Sequence, residues 1–110
     1  MSWGVDIDVA HGDGYVTTIE VVDGHTYNLT PMWRKAGVIN GSTRDLDGKT
    51  TAEVGALALA GLVDAWRNEA EYRELDPPNG WGDFDGFLEI LTRLARLCHQ
   101  HPRGVLRWNG

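Results

Sequence analysis

Trp3-Gly4-Val5-Asp6-Ile7-Asp8-Val9 sets Val5, Ile7 and Val9 on one side of an extended chain and Asp6 and Asp8 on the other. A period of two is the signature of a strand with one face in a core and one in water. His11-Gly12-Asp13-Gly14 follows, supplying residues that tolerate positive φ, and Tyr15 to Val22 is again rich in Val, Ile and Thr. The two runs form a β-hairpin. Asp23-Gly24 reads as a second turn and leaves His25-Thr26-Tyr27 as a candidate extension of the strand.

Working outward, the chain changes character at Asn28-Leu29-Thr30-Pro31. Thr30 is placed to cap a short helix, Pro31 to Ala36, because proline fits the first helical position, where its missing N–H has no intrahelical partner. Gly37 ends it. Asn40-Gly41-Ser42 and Asp47-Gly48 make residues 38–49 an irregular connection anchored by Val38, Ile39 and Leu46.

Thr50 and Glu53 form a capping box ahead of a long helix, Thr51 to Arg67, with Val54, Leu57, Ala58, Leu62 and Ala65 at helical spacing. Gly55 and Gly61 each cost that helix up to about 1 kcal/mol relative to alanine, which implies a close neighbour on their face. A short helix, Glu69 to Leu75, comes next. Pro77 and Pro78 then exclude helix from Asp76 to Gly82. Asp83 caps an amphipathic helix carrying Phe87, Leu91, Leu94 and Cys98 that Pro102 halts, and Gly104 to Trp108 closes the chain as a strand. The expected fold is α+β: one domain over residues 1–110, with a small antiparallel sheet of hairpin plus C-terminal strand, covered on one face by helices.

Composition narrows the function. The chain has 110 residues, 24% charged and 42% hydrophobic, with a formal charge of -6. That is one globular domain, able to bury a modest core without disulfides. The acidic balance and the lack of any Arg/Lys cluster disfavour nucleic acid as a partner. Met1 to Ala10 lacks the basic and apolar regions of a signal peptide, and the weakly polar run Val54 to Val63 is about half of the ~20 residues that span a bilayer. With a single cysteine, Cys98, the expectation is a cytoplasmic protein with no membrane partner.

Catalytic and cofactor signatures are missing: there is no G-x-S-x-G elbow, H-E-x-x-H helix, Walker loop or G-x-G-x-x-G fingerprint. No catalytic residue, cofactor or metal ligand is assigned. Cys98, His99 and His101 have the wrong spacing for a helical metal pair and read as the end of a capped helix. His11 and His25 lie in or beside turns, near Asp13 and Asp23, with no geometry to make either an acid or a base.

Two segments carry parts for binding. Tyr27, Asn28, Thr30, Met32, Trp33 and Arg34 surround a helix start that offers unpartnered N–H groups, short polar arms and an aromatic ring. Met32 and Trp33 suit a core better than a site, because capped helix starts are commonplace. In the second segment, Asn79, Gly80, Trp81 and Asp83 follow the proline pair, and glycines on both sides of Trp81 permit close approach of a ligand. That indole either stacks on a base or closes the protein's own core.

With Asn28-Leu29-Thr30-Pro31-Met32-Trp33 and Pro77-Pro78-Asn79-Gly80-Trp81-Gly82 in hand, the chain resembles a family of small proteins found in phages and in actinobacterial and other bacterial genomes. The similarity runs from about Tyr27 to Val105 and brings no assigned activity with it. By size and style the chain is also similar to phage proteins that sequester nucleotide immune signals such as cyclic ADP-ribose derivatives. That resemblance implies a nucleotide-like small-molecule partner held without turnover, with helix starts for a diphosphate and Tyr27, Trp33 or Trp81 for the base; a homo-oligomer is compatible with it. The alternatives are an inhibitor that docks on a host protein and a cyclic-nucleotide hydrolase using His11 or His25.

Overall fold

In the computed structural model, which describes residues 1–110, three antiparallel strands form one sheet in the order β2-β1-β3: β1 Ser2–Ala10, β2 Val16–Thr26 and β3 Val105–Asn109. The helices are α1 Thr30–Lys35, α2 Thr51–Arg67, α3 Glu69–Arg73 and α4 Phe84–Gln100, with 3-10 turns at Tyr27–Leu29 and Thr43–Leu46. This is the expected α+β arrangement. Trp3, Val5 and Ile7 are buried under the helices, whereas Asp8 on the opposite face accepts a hydrogen bond from Thr18 Oγ1 at 2.8 Å and pairs with Arg107 at 3.2 Å.

Asp23-Gly24 is not a turn. The pairing runs Trp3 to His25, Val5 to Val22 and Asp6 to Glu20, so β2 spends extra residues against β1 in two bulges and stays in the sheet as far as Thr26. Gly24 supplies the positive φ such a bulge needs, at +74°. At the other end the hairpin outruns the sheet: β3 pairs with β1 only from Gly4 to Asp8, while β1 and β2 stay paired out to Ala10 and Val16. Tyr15 and Val16 stand exposed at that tip.

Helix α2 has the expected bounds, with Thr50 Oγ1 accepting from the Glu53 amide at 3.2 Å. Its two glycines meet what their cost implied. A β-carbon on Gly61 would lie 3.0 Å from the Ala36 carbonyl oxygen, and one on Gly55 would lie 3.1 Å from Cys98 Cβ. Thr51 ties the helix start to the strand entrance, donating to the His101 carbonyl and accepting from the Gly104 amide at 3.1 Å. The connection 38–49 is held by Asp45, whose carboxylate takes the amides of Asn40, Gly41 and Ser42. Those amides, Gly41 foremost, hold its pKa below the usual carboxylate value.

One aromatic cluster centres the core. Trp33 packs edge-on against Trp3, His25 and Phe87 with ring centroids 5.1–5.8 Å away, and Phe87 stacks with Tyr72. Tyr72 donates its hydroxyl to Asp64 on α2; burial, then that bond, raises its pKa. No helix is long and apolar enough to cross a membrane.

Candidate functional site

The two sequence segments singled out for binding meet in space. Asp76 leaves α3 and accepts from the Phe84 amide at 2.8 Å, which folds the proline-bearing loop back on itself. Gly80 donates to the Pro77 carbonyl, and the Trp81 amide donates to Asn79 Oδ1 at 3.0 Å, setting the indole at the apex of a tight turn. Gly82 brings the loop down onto β2 and the following 3-10 turn. Its φ is +96°, and a β-carbon there would lie 2.8 Å from Thr26 Cγ2 and 3.0 Å from Leu29 Cδ1. Only glycine satisfies both the backbone angle and the contact.

Trp81 therefore stands 70% exposed between two adjoining hollows of about 400 Å³ each. One is lined by Met1, Ser2, Gly24, Thr26, Asn28 and Asn79 beside the indole. The other, on the α4 side, is reached by His25, Leu29, Gly80, Asp83, Glu89 and Ile90. Of the residues expected here, Asn28, Asn79, Gly80, Trp81 and Asp83 line the hollows.

The remaining expectations are corrected by burial and by helix geometry. Met32 and Trp33 have no exposed surface and lie beneath the site as core residues, because the face of α1 that carries them packs on Trp3 and α4. Thr30 is inside α1 and does not cap it; its hydroxyl donates to the Tyr27 carbonyl at 2.7 Å, and Leu29 occupies the cap position with no side-chain bond. Thr26 is the capping residue instead, accepting from the Asn28 amide at 3.2 Å at the head of the 3-10 turn. Tyr27 is half-buried and turns to the C-terminal end, its hydroxyl lying against Gly110. Arg34 is exposed and lines neither hollow.

The electrostatics follow from these placements. No lysine or arginine lines either hollow, while Asp83 and Glu89 line the one on the α4 side. The start of α4 is occupied by the protein's own carboxylates: Asp83 takes the Gly86 amide and Asp76 the Phe84 amide, each at 2.8 Å. α1 is six residues long and offers no open terminus of consequence. The diphosphate seat expected at two helix starts is filled in one case and too short in the other. What remains open is an aromatic face with amide and hydroxyl groups around it, which suits a flat polar ring and a sugar.

Neither histidine of the hydrolase alternative is set up as an acid or base. His25 is buried, accepts from Trp33 Nε1 at 3.3 Å through Nε2, and has its pKa pushed down to about 4 by desolvation. It is a neutral core residue at pH 7. His11 lies at the far end of the hairpin, bonded to Thr17 Oγ1 at 2.6 Å, about 25 Å of strand from the hollows. No group of three or more His, Cys, Asp or Glu side chains gathers in metal-binding geometry.

Sequence reading missed Gly24, Thr26, Gly82 and Glu89 as site residues. Gly24 and Thr26 were hidden by the mistaken turn, and Gly82 carried a signal only as the second glycine beside Trp81. Comparison with family models, with curated proteins and with solved structures returns no match to this chain.

Proposed function

We propose that the chain is a small-molecule binding protein that captures the base and ribose of a nucleotide-derived ligand at Trp81 and releases it unchanged. The observation that carries this reading is the exposed indole of Trp81, held on a glycine-flanked turn beside a hollow whose walls include Thr26, Asn28 and Asn79. An aromatic face offers stacking to a base, and the amide side chains of Asn28 and Asn79 can donate to and accept from base or ribose edges. Phosphates of such a ligand would point away from the α4 side, where Asp83 and Glu89 repel them. In the phage setting that the family resemblance implies, capture of this kind is sequestration of a cyclic ADP-ribose-like immune signal.

The experiment is calorimetric titration of the full chain with cyclic ADP-ribose, ADP-ribose and the parent nucleosides, repeated on Trp81→Ala. The reading expects binding that falls at least about tenfold in Trp81→Ala, with the thermal midpoint nearly unchanged, since an exposed side chain contributes within about 0.5 kcal/mol of stability. Equal binding by both proteins, or none by either, overturns it. The acidic rim around an exposed tryptophan also favours a second reading, an inhibitor docked on a basic host protein. That reading expects no small-molecule binding and a Trp81-dependent complex in host lysate.

A further inference from the structure

Helix α2 has a second apolar face that the core does not use. Val54, Ala58, Leu62 and Ala65 are buried inward, yet Ala52, Ala56, Leu59, Val63 and Trp66 recur at spacings of four, three, four and three on the outside. That is the alternation of a helix–helix seam. Leu59 is 60% exposed, Val63 41% and Trp66 61%, and Val54 to Val63 contains no charged residue in a chain that is 24% charged.

The two ends of the seam differ in a complementary way. From its N-terminal end as far as Leu59, Ala52, Gly55 and Ala56 form with Ala95, Cys98 and His99 a mainly apolar hollow of about 500 Å³ between α2 and α4. At its C-terminal end stands the indole of Trp66. Leu59 is midway, seven residues from Ala52 and seven from Trp66, and all three share one face because seven residues make nearly two turns. A two-fold axis across Leu59 sets two copies of α2 antiparallel and carries each Trp66 to the hollow end of the other. Trp66 and Gly55 lie eleven residues, or three turns, apart, so both face the α4 side of the seam, and the axis keeps them on one side.

Charge agrees with this pairing. Glu53 flanks the hollow end and Arg67 flanks the tryptophan end, so the same axis brings each arginine toward the partner's glutamate. The area is sufficient for a weak dimer. A 17-residue helix is about 25 Å long and, with α4 packed beside it, presents a face about 20 Å wide, or about 500 Å² per partner, which is below the ~800 Å² of a stable interface and in the range of a weak one.

We propose that this face is the interface of an antiparallel two-fold dimer of the chain, with each Trp66 seated in the partner's hollow between α2 and α4. The occupant is a second copy because the face supplies both the knob and the socket at matched distance, as an isologous interface must.

Sedimentation velocity of the full chain from about 1 to about 200 µM tests it, with an expected dissociation constant on the order of 10 µM. Trp66→Glu is expected to be monomeric throughout, with an unchanged circular dichroism spectrum and, at about 1 µM where the native chain is also monomeric, an unchanged thermal midpoint. Leu59→Cys in a Cys98→Ser background is expected to form a disulfide-linked dimer on mild oxidation, because Leu59 faces itself across the axis, whereas Glu89→Cys in the same background is not. A chain monomeric at all concentrations, a dimer that persists in Trp66→Glu, or equal cross-linking at positions 59 and 89 overturns the proposal.

Discussion

The indole N–H of Trp33 donates to Nε2 of His25 at 3.3 Å, with both rings buried and Trp3 packed edge-on against each. The bond needs an unprotonated Nε2, so the core depends on a neutral imidazole. Desolvation lowers the His25 pKa from the ordinary 6.5 to about 4. The unfolded chain therefore takes up the proton first as pH falls. Stability from this group is fully present above about pH 6.5, declines below it and levels off beneath about pH 4, with a total loss on the order of 3 kcal/mol. Urea midpoints measured from pH 8 to pH 4 check this. His25→Gln, which keeps an acceptor for Trp33, is expected to flatten the decline; an identical decline in that variant would assign it to other groups.

Gly82→Ala is expected to destabilise the fold by on the order of 1–3 kcal/mol, because the left-handed backbone and the contact with Thr26 and Leu29 both oppose a β-carbon. Gly80, also at positive φ but with open space around it, is expected to cost less on the same change. Denaturant titration of the two variants side by side reads the difference. An equal loss at both positions would remove the close approach of loop and strand as its cause.

Thr51→Val keeps the shape of a buried side chain and removes a hydroxyl that the His101 carbonyl and the Gly104 amide both use. The expected loss is about 1–3 kcal/mol, with Thr51→Ser retaining most of the stability. Hydrogen exchange at the Leu106 amide, which donates to the Lys49 carbonyl beside this junction, should speed up in the valine variant.

Burial pushes the Cys98 thiol up to about 11. At pH 8 it is expected to react with a disulfide reagent far more slowly in the native protein than in denaturant, since the thiolate is the reacting form. A native rate close to that of a free cysteine peptide would place the thiol outside the core. Dimer formation through Trp66 is expected to slow the reaction further at high protein concentration, because Cys98 lines the hollow that the indole fills.

Strong local chemistry was legible in the sequence. The period of two in β1, the Thr50–Glu53 cap and the Asp83 cap placed three elements correctly. Asp23-Gly24 misled because a glycine at positive φ serves a bulge as well as a turn, and only the partner strand decides between them. Met32 and Trp33 misled for a related reason. Their neighbours Asn28 and Thr30 are polar, but which side of a six-residue helix turns inward depends on Trp3, nearly thirty residues away. The meeting of Thr26 with Gly82 is tertiary contact across more than fifty residues, and local composition held only the glycine that permits it.

The overhanging hairpin has a practical corollary for anyone handling this molecule. Gly4 pairs with Asn109, so the two chain ends emerge side by side, while the bend at His11–Gly14 projects from the opposite pole, past the last rung of β3. A dye, affinity handle or fused module spliced into that bend would be carried clear of Trp81, which sits by the other end of the hairpin.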